Sequence, residues 1–120
     1  MQQARQPRQT GSWPKNVSKR KSHENKDHQS AEHDLEEGYH FYDMREPGLG
    51  SYFLDSLYSD IDSLAYFGGM HRMVFGHHRQ LSKRFPFAVY YRVIDDMVVV
   101  FAVLDCRRNP SWTRERLIQG

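Results

Sequence analysis

The chain has little with which to build a cross-linked or membrane-embedded structure. One cysteine, Cys106, stands among 120 residues, which excludes an internal disulfide and any multi-cysteine metal site and fits a reducing compartment. Cys106 itself reads as a small residue filling space near a strand end. No apolar run approaches the ~18 or more residues of a membrane span. The basic opening, MQQARQPRQTGSWPKNVSKRK, has no apolar segment behind it, so neither a secretory signal nor an anchor is expected and the location expected is cytoplasmic. Hydrophobic residues make up only 38% of the chain and the mean hydropathy is −0.81, so the core must be small and part of the chain lies outside it. Metal-ligand spacing is lacking too. His23, His28 and His33 recur every five residues, which matches no helical face, and the adjacent His77 and His78 diverge on a strand. No metal or other cofactor is therefore expected, and His71, His77 and His78 remain undistinguished candidates for proton transfer.

What is present is unevenly distributed. The net charge of +2 divides into a basic block, an acidic block and a second basic block. Residues 1–30 hold seven Lys/Arg against two acids, residues 31–70 one against nine, and residues 71–120 nine against four. Such asymmetry points to an anionic partner for the last block, although charge speaks first of solubility and nonspecific association.

Residues 1–30 offer only Trp13 and Val17 as sizeable apolar groups, no periodic face can be drawn, and the block reads as disordered or as an atypical extension. From Ser30 the pattern SAEHDLEEGYHFYDMR places Ala31, Leu35, Tyr39 and Tyr42 at helical spacing, with Ser30 as N-cap. EPGLG breaks the helix. A second helix from about Leu49 to Phe67 would bury Phe53, Leu57, Ile61 and Leu64 and leave Asp55, Ser59, Asp60 and Asp62 on its polar side, giving a helical hairpin. After Gly68 and Gly69 the period becomes two. HRMVF and HRQLSKRF read as short strands around Gly76, and FAVYYRVI and MVVVFAVL as a long pair joined by a tight turn at Asp95–Asp96. Tyr90 and Tyr91 then point to opposite faces, and only one of them is expected to be deeply buried. Asn109 and Pro110 suit the N-cap and first residue of a closing helix. The expected fold class is α+β, a helical hairpin on a small antiparallel sheet with a short C-terminal helix, spanning residues 31–120.

The strings PGLGSYFLDSL, LSKRFPFAVYYRV and VVVFAVLDCRRNPSW, in this order, resemble the RelE/ParE family of toxins from type II toxin–antitoxin (plasmid stabilisation) modules, over about Ala31 to Leu117. The resemblance implies a small toxin neutralised by a co-encoded antitoxin protein, with either ribosome-bound mRNA, cut without a metal, or DNA gyrase as target, and no membrane partner. It also implies a first strand directly before the first helix. That place is occupied here by RKSHENKDHQ, which has no alternation and no face to bury, so a lost or replaced strand and an inactive remnant of such a toxin are expectations beside the active readings.

Metal-independent cleavage of RNA requires cations placed on the developing phosphorane charge and a group to move protons. Arg79, Lys83 and Arg84 precede or begin one long strand, and Arg107 and Arg108 follow the other. Strands ~4.8 Å apart folded as a hairpin bring both groups to one rim. Arg79, Lys83, Arg84, Arg107, Arg108 and Trp112 are therefore the candidate target-binding or nucleic-acid-binding residues. By the resemblance Arg108 falls at the position of a catalytic arginine, whereas Ala88 stands where such enzymes carry an arginine within the strand, and Trp112 is the nearest aromatic to their C-terminal tyrosine. A basic nucleic-acid-binding module outside the family is a further alternative, disfavoured by the absence of an RNP-like aromatic pattern.

Overall fold

In the computed structural model, which describes residues 13–20 and 30–119, the chain begins with a strand that the sequence does not announce. β1 (Val17–Lys19) is three residues long, and only Val17 is buried. Trp13 packs beside Val17 against the main core, and the Asn16 amide donates to the Ala65 carbonyl at 2.9 Å. The reading of residues 1–30 as lying outside the domain is thus corrected for residues 13–20. A strand thus lies upstream of RKSHENKDHQ rather than within it. Residues 21–29 lie outside the described residues.

Ser30 starts α1 (Ala31–Arg45). Its backbone is extended, its hydroxyl accepts from the His33 amide at 3.1 Å, and Glu32 and Asp34 occupy the first turn. Glu46, ahead of Pro47, is held extended at φ −156° and ψ 123°, which ends the helix. Gly48 at φ +91° turns the chain into α2 (Leu49–Phe67). The Asp43 carboxylate accepts from the Gly48 and Gly50 amides there, at 3.0 and 3.2 Å, in place of a side-chain cap on α2 itself. The α2 stripe of Phe53, Leu57, Ile61 and Leu64 is fully buried. A Cβ on Gly38 of α1 would lie 2.4 Å from the Phe53 ring, so the helices approach closely where α1 carries no side chain. Asp60, expected on the polar side, is instead buried. Its main-chain oxygen accepts from Gln80 Nε2 at 2.7 Å, while its Oδ2 is buried with no partner among the described residues, and burial pushes its carboxyl up against the opposing pull of Ser82 and Lys83.

β2 (Met73–Val74), β3 (His77–Leu81), β4 (Phe87–Ile94) and β5 (Met97–Asp105) form an antiparallel meander, and β1 adds in parallel on the far side of β5. The sheet is five-stranded, mixed and open, in the order β1-β5-β4-β3-β2. Asp95 and Asp96 both have positive φ, 51° and 64°, as the two-residue hairpin turn demands. One face of the sheet packs under α1 and α2; the other meets α3 (Pro110–Gln119) through a smaller cluster of Ala88, Tyr90, Ala102, Leu104 and Leu117. Tyr90 and Tyr91 do lie on opposite faces, but both are buried, because α3 covers Tyr90 as α2 covers Tyr91. Asn109 caps α3, its side-chain oxygen accepting from the Ser111 amide at 2.8 Å. Cys106 is exposed in the turn after β5 and fills no space in the core.

The shortness of β1 sets a problem that α1 solves. β1 pairs only with Val98, Val99 and Val100, leaving the second half of β5 without a neighbour on that side. Asp34 reaches the vacant edge and accepts from the Val103 amide at 3.0 Å, while the Arg116 guanidinium of α3 binds both Asp34 oxygens at 3.0 Å. A buried carboxylate is therefore fully partnered and joins α1, β5 and α3 over an edge that would otherwise be open.

Candidate functional site

The hairpin delivers the expected rim but divides its charges. Phe87 pairs with Asp105 and Ala88 with Leu81, so the end of β3, the start of β4 and the end of β5 share one side of the sheet. Lys83 and Arg84 lie in the β3–β4 loop on the helical side, where both act on Asp60, and Arg84 also borders a depression with Tyr52, Asp55 and Ser56. Arg107 is turned back on Asp105, its Nε and Nη2 donating at 2.9 and 2.7 Å, which holds the carboxyl below its ordinary range and the guanidinium above. Arg79 belongs to β3, opposite Tyr90, and hydrogen-bonds its hydroxyl. The six candidates are therefore not one constellation. Only Arg108 and Trp112 are in contact, with the guanidinium 4.1 Å from the ring centroid.

Arg108 and Trp112 border a cavity of about 260 Å³ between α1 and the end of β5, with Phe41, Phe87 and Leu104 as apolar walls. Asp34, Glu37 and Asp105 also line it. Burial pushes the Asp34 carboxyl up, against the opposing pull of Arg116. No histidine or tyrosine lines the cavity. An anionic phosphodiester would face three carboxylates there, and their charge opposes its entry beside Arg108.

A second cationic cluster occupies the half of the α3-side face that α3 leaves bare. A bulge between Tyr90 and Tyr91 on the β4–β5 ladder leaves Phe101 unpaired on β5. The guanidiniums of Arg20 and Arg92 lie 5.5 and 5.4 Å from the Phe101 ring centroid, and the His77 ring meets it edge-on at 4.9 Å. Arg92 Nε donates to the Gly76 carbonyl at 3.2 Å, which fixes its direction. His77 Nδ1 is bonded to the Phe75 carbonyl, and Nε2 has no partner among the described residues. Burial lowers the His77 pKa, against the bond to the Phe75 carbonyl and with the charges of Arg92 and Arg20 adding to it. Neither Arg20 nor Arg92 forms an ion pair among the described residues. With Arg79 on the same face, this surface offers cations and an aromatic ring with no ion-paired carboxylate among the described residues.

The sequence reading passes over Arg20, His77 and Arg92 as a group for identifiable reasons. Alternation puts Ala88, Tyr90 and Arg92 of β4 on one face, a signal that was there to be used, but Arg20 joins them only through β1, and Phe101 only through the bulge. No group of three or more His, Cys, Asp or Glu able to hold a metal ion occurs among the described residues. None of the described helices is long and apolar enough to cross a membrane. In comparisons with known proteins, no family model matches the chain, and no curated protein or solved structure is significantly similar to it.

Proposed function

We propose that the chain is a growth-inhibiting toxin of the RelE/ParE kind that disables its target by binding rather than by cutting RNA, acts in the cytoplasm, and is neutralised by a co-encoded antitoxin. Three motif strings in the order that the resemblance requires support the kinship. The observation that carries the mode of action is the contrast between the two cationic places. Arg108 sits among the Asp34, Glu37 and Asp105 carboxylates, which oppose an anion, whereas Arg20 and Arg92 stand beside Phe101 on an open face with no ion pair among the described residues. Of the two targets that the resemblance implies, DNA gyrase makes the smaller chemical demand, since it requires only a binding surface. The antitoxin would cover that surface as an added strand or an amphipathic helix.

Expression without an antitoxin tests the reading. The expected result is growth arrest with intact transcripts, DNA damage and gyrase retained on the purified protein, with both toxicity and retention lost in the double variant Arg20→Gln, Arg92→Gln. Transcripts cut within ribosome-bound codons, with cleavage abolished by Arg108→Ala and ribosome binding kept, would replace it by the interferase reading, since transition-state contacts act on rate more than on ground-state affinity. Accumulation of folded protein without effect would remove both active readings.

A further inference from the structure

Two histidines and a methionine gather around Tyr91 at the β2 edge of the sheet. Tyr91 of β4 lies directly opposite His78 of β3, and His78 directly opposite Met73 of β2, so the three side chains form one row on one face. The Arg79 amide donates to the Arg72 carbonyl at 2.8 Å, which makes Met73 and His78 a non-hydrogen-bonded pair, the kind in which facing side chains approach most closely. The His78 ring stacks on Tyr91 with centroids 5.0 Å apart, and the His71 ring meets the same tyrosine edge-on at 5.5 Å. His77 faces Phe101 on the other side of the sheet and takes no part.

The hydrogen bonds of this cluster leave the outer ring nitrogens unused. His78 Nδ1 lies 2.6 Å from the His71 carbonyl oxygen. A carbonyl only accepts, so the neutral His78 ring carries its proton on Nδ1 and its lone pair on Nε2. His71 Nδ1 is bonded to the Tyr91 hydroxyl, which accepts from the Gly69 amide at 3.0 Å and is able to accept from His71 as well. Neither Nε2 forms a hydrogen bond or ion pair among the described residues. Imidazoles held at one nitrogen by an oxygen and free at the other are oriented as metal-binding imidazoles are. Both rings are half-buried, and Met73 is 53% exposed beside them, so an ion can reach the row from solvent. His78 stands close enough for its charge to act on His71, whereas no carboxylate does so.

We propose that His71 Nε2, His78 Nε2 and the Met73 thioether bind one Cu(I) ion. Two neutral imidazoles and a thioether suit a soft monovalent ion better than Zn(II), Mg(II) or Ca(II), whose usual sites supply thiolates or carboxylates. Sequence spacing hides the site, because the β2–β3 turn brings the two histidines together and the third donor is a methionine. The ion would tie the segment after α2 to the β2–β3 hairpin, and it stabilises the fold by binding only the folded chain. The inference does not rest on the target proposed above, since none of the three ligands lines the Arg108 cavity or contacts Phe101.

Anaerobic titration of the Cu(I)–bicinchoninate complex with the full chain tests it. A Cys106→Ser background removes the exposed thiol, and His23→Gln with His28→Gln removes the two histidines outside the described residues. The expected result is withdrawal of one Cu(I) per chain, with affinity reduced about tenfold or more in Met73→Leu and binding lost in His78→Phe, which keeps an aromatic ring on Tyr91. Met44→Leu, at an exposed position on α1, should have no effect. Should His78→Phe fail to fold by far-UV circular dichroism, Met73→Leu decides, because its side chain is exposed. Ag(I), a redox-inert substitute for Cu(I), should shift the Met73 methyl and the His71 and His78 ring resonances in proton–carbon correlation spectra and leave the Met44 methyl in place. No withdrawal of Cu(I), equal withdrawal by the Met73→Leu variant, Ag(I) shifts confined to other methionines, or tighter binding of Zn(II) than of Cu(I) would overturn the proposal.

Discussion

On one face the sheet presents Phe87, Val89, Tyr91, Val98, Val100 and Val103 to two helices; on the other, Ala88, Tyr90, Ala102 and Leu104 meet Leu117 and Trp112 of α3, with Val74 of β2 beside them. The first face is filled with large aliphatic and aromatic groups, including the close packing of Tyr42, Phe53 and Phe87 at centroid distances of 4.9 to 6.2 Å. The second uses alanine where α3 approaches and leaves cations where it does not. Burial scales with apolar area, so the helix-covered face supplies most of the stability. The other face is then free to hold Arg20, Arg79 and Arg92, whose charge contributes little to folding. A domain this small has core material for one heavily packed layer, and its second face can be given to binding.

The largest expected effect breaks the heavy side. Leu57→Ala, at a fully buried position in α2, should cost about 2–5 kcal/mol, a large share of the ~5–15 kcal/mol typical of a whole domain. Urea unfolding measures it, and a loss under ~0.5 kcal/mol would place Leu57 among surface residues. Leu117→Ala on the light side removes the same atoms from a cluster built around two alanines. Its cost should fall at the lower end of the range, about 2 kcal/mol, and equal losses at the two positions would refute the asymmetry.

How far this asymmetry could be read in the sequence depends on the distance over which each feature is decided. The α2 stripe, the Ser30 cap, the stop at Pro47 and the Asp95–Asp96 turn are settled within a few residues of chain and are legible. β1 is not, because a strand of three residues with a single buried side chain has no period to detect. Nor are Asp34 and Asp60: a buried acid is intelligible only with its partners, and Arg116 lies 82 residues from Asp34. The cationic rim was legible as a place but not as a site, since whether Arg107 faces a ligand or Asp105 depends on a local turn. The Phe101 cluster was hidden by a bulge that alternation cannot foresee.

Acidification should have a smaller effect than either leucine substitution and act on both faces. His71 touches the Tyr91 hydroxyl on the helix side, beside His78, and His77 lies against Phe101 on the open side. Burial lowers both pKa values, with His78 adding to the effect at His71 and Arg92 and Arg20 at His77. The folded state thus favours neutral rings, and the unfolded chain binds more protons below its histidine pKa of ~6.5. Stability from these groups is complete above that value and declines as pH falls through the lowered folded values. Asp34 and Asp60, raised by burial, act with the opposite sign at lower pH. Melting temperature should therefore fall from pH 7 toward pH 5.5, and less steeply in His77→Phe; a rise over that interval would contradict the assignment.

The smallest expected effect on stability belongs to the open face. Arg92 contacts the Phe101 ring and donates one hydrogen bond to the Gly76 carbonyl at an exposed position. Arg92→Gln and Arg20→Gln should therefore each change unfolding free energy by no more than ~0.5 kcal/mol. Their effect should appear in binding. With a single-stranded oligonucleotide as a probe of the charge of the face, each substitution that removes one phosphate contact should reduce the slope of log affinity against log salt by ~0.7. Arg108→Gln should leave the slope unchanged, because the Asp34, Glu37 and Asp105 carboxylates around the cavity already oppose an anion there. If Arg108→Gln and Arg92→Gln reduced the slope equally, the division of cations between a compensated cavity and an uncompensated face would be wrong, and the rim would have to be treated as a single polyanion surface.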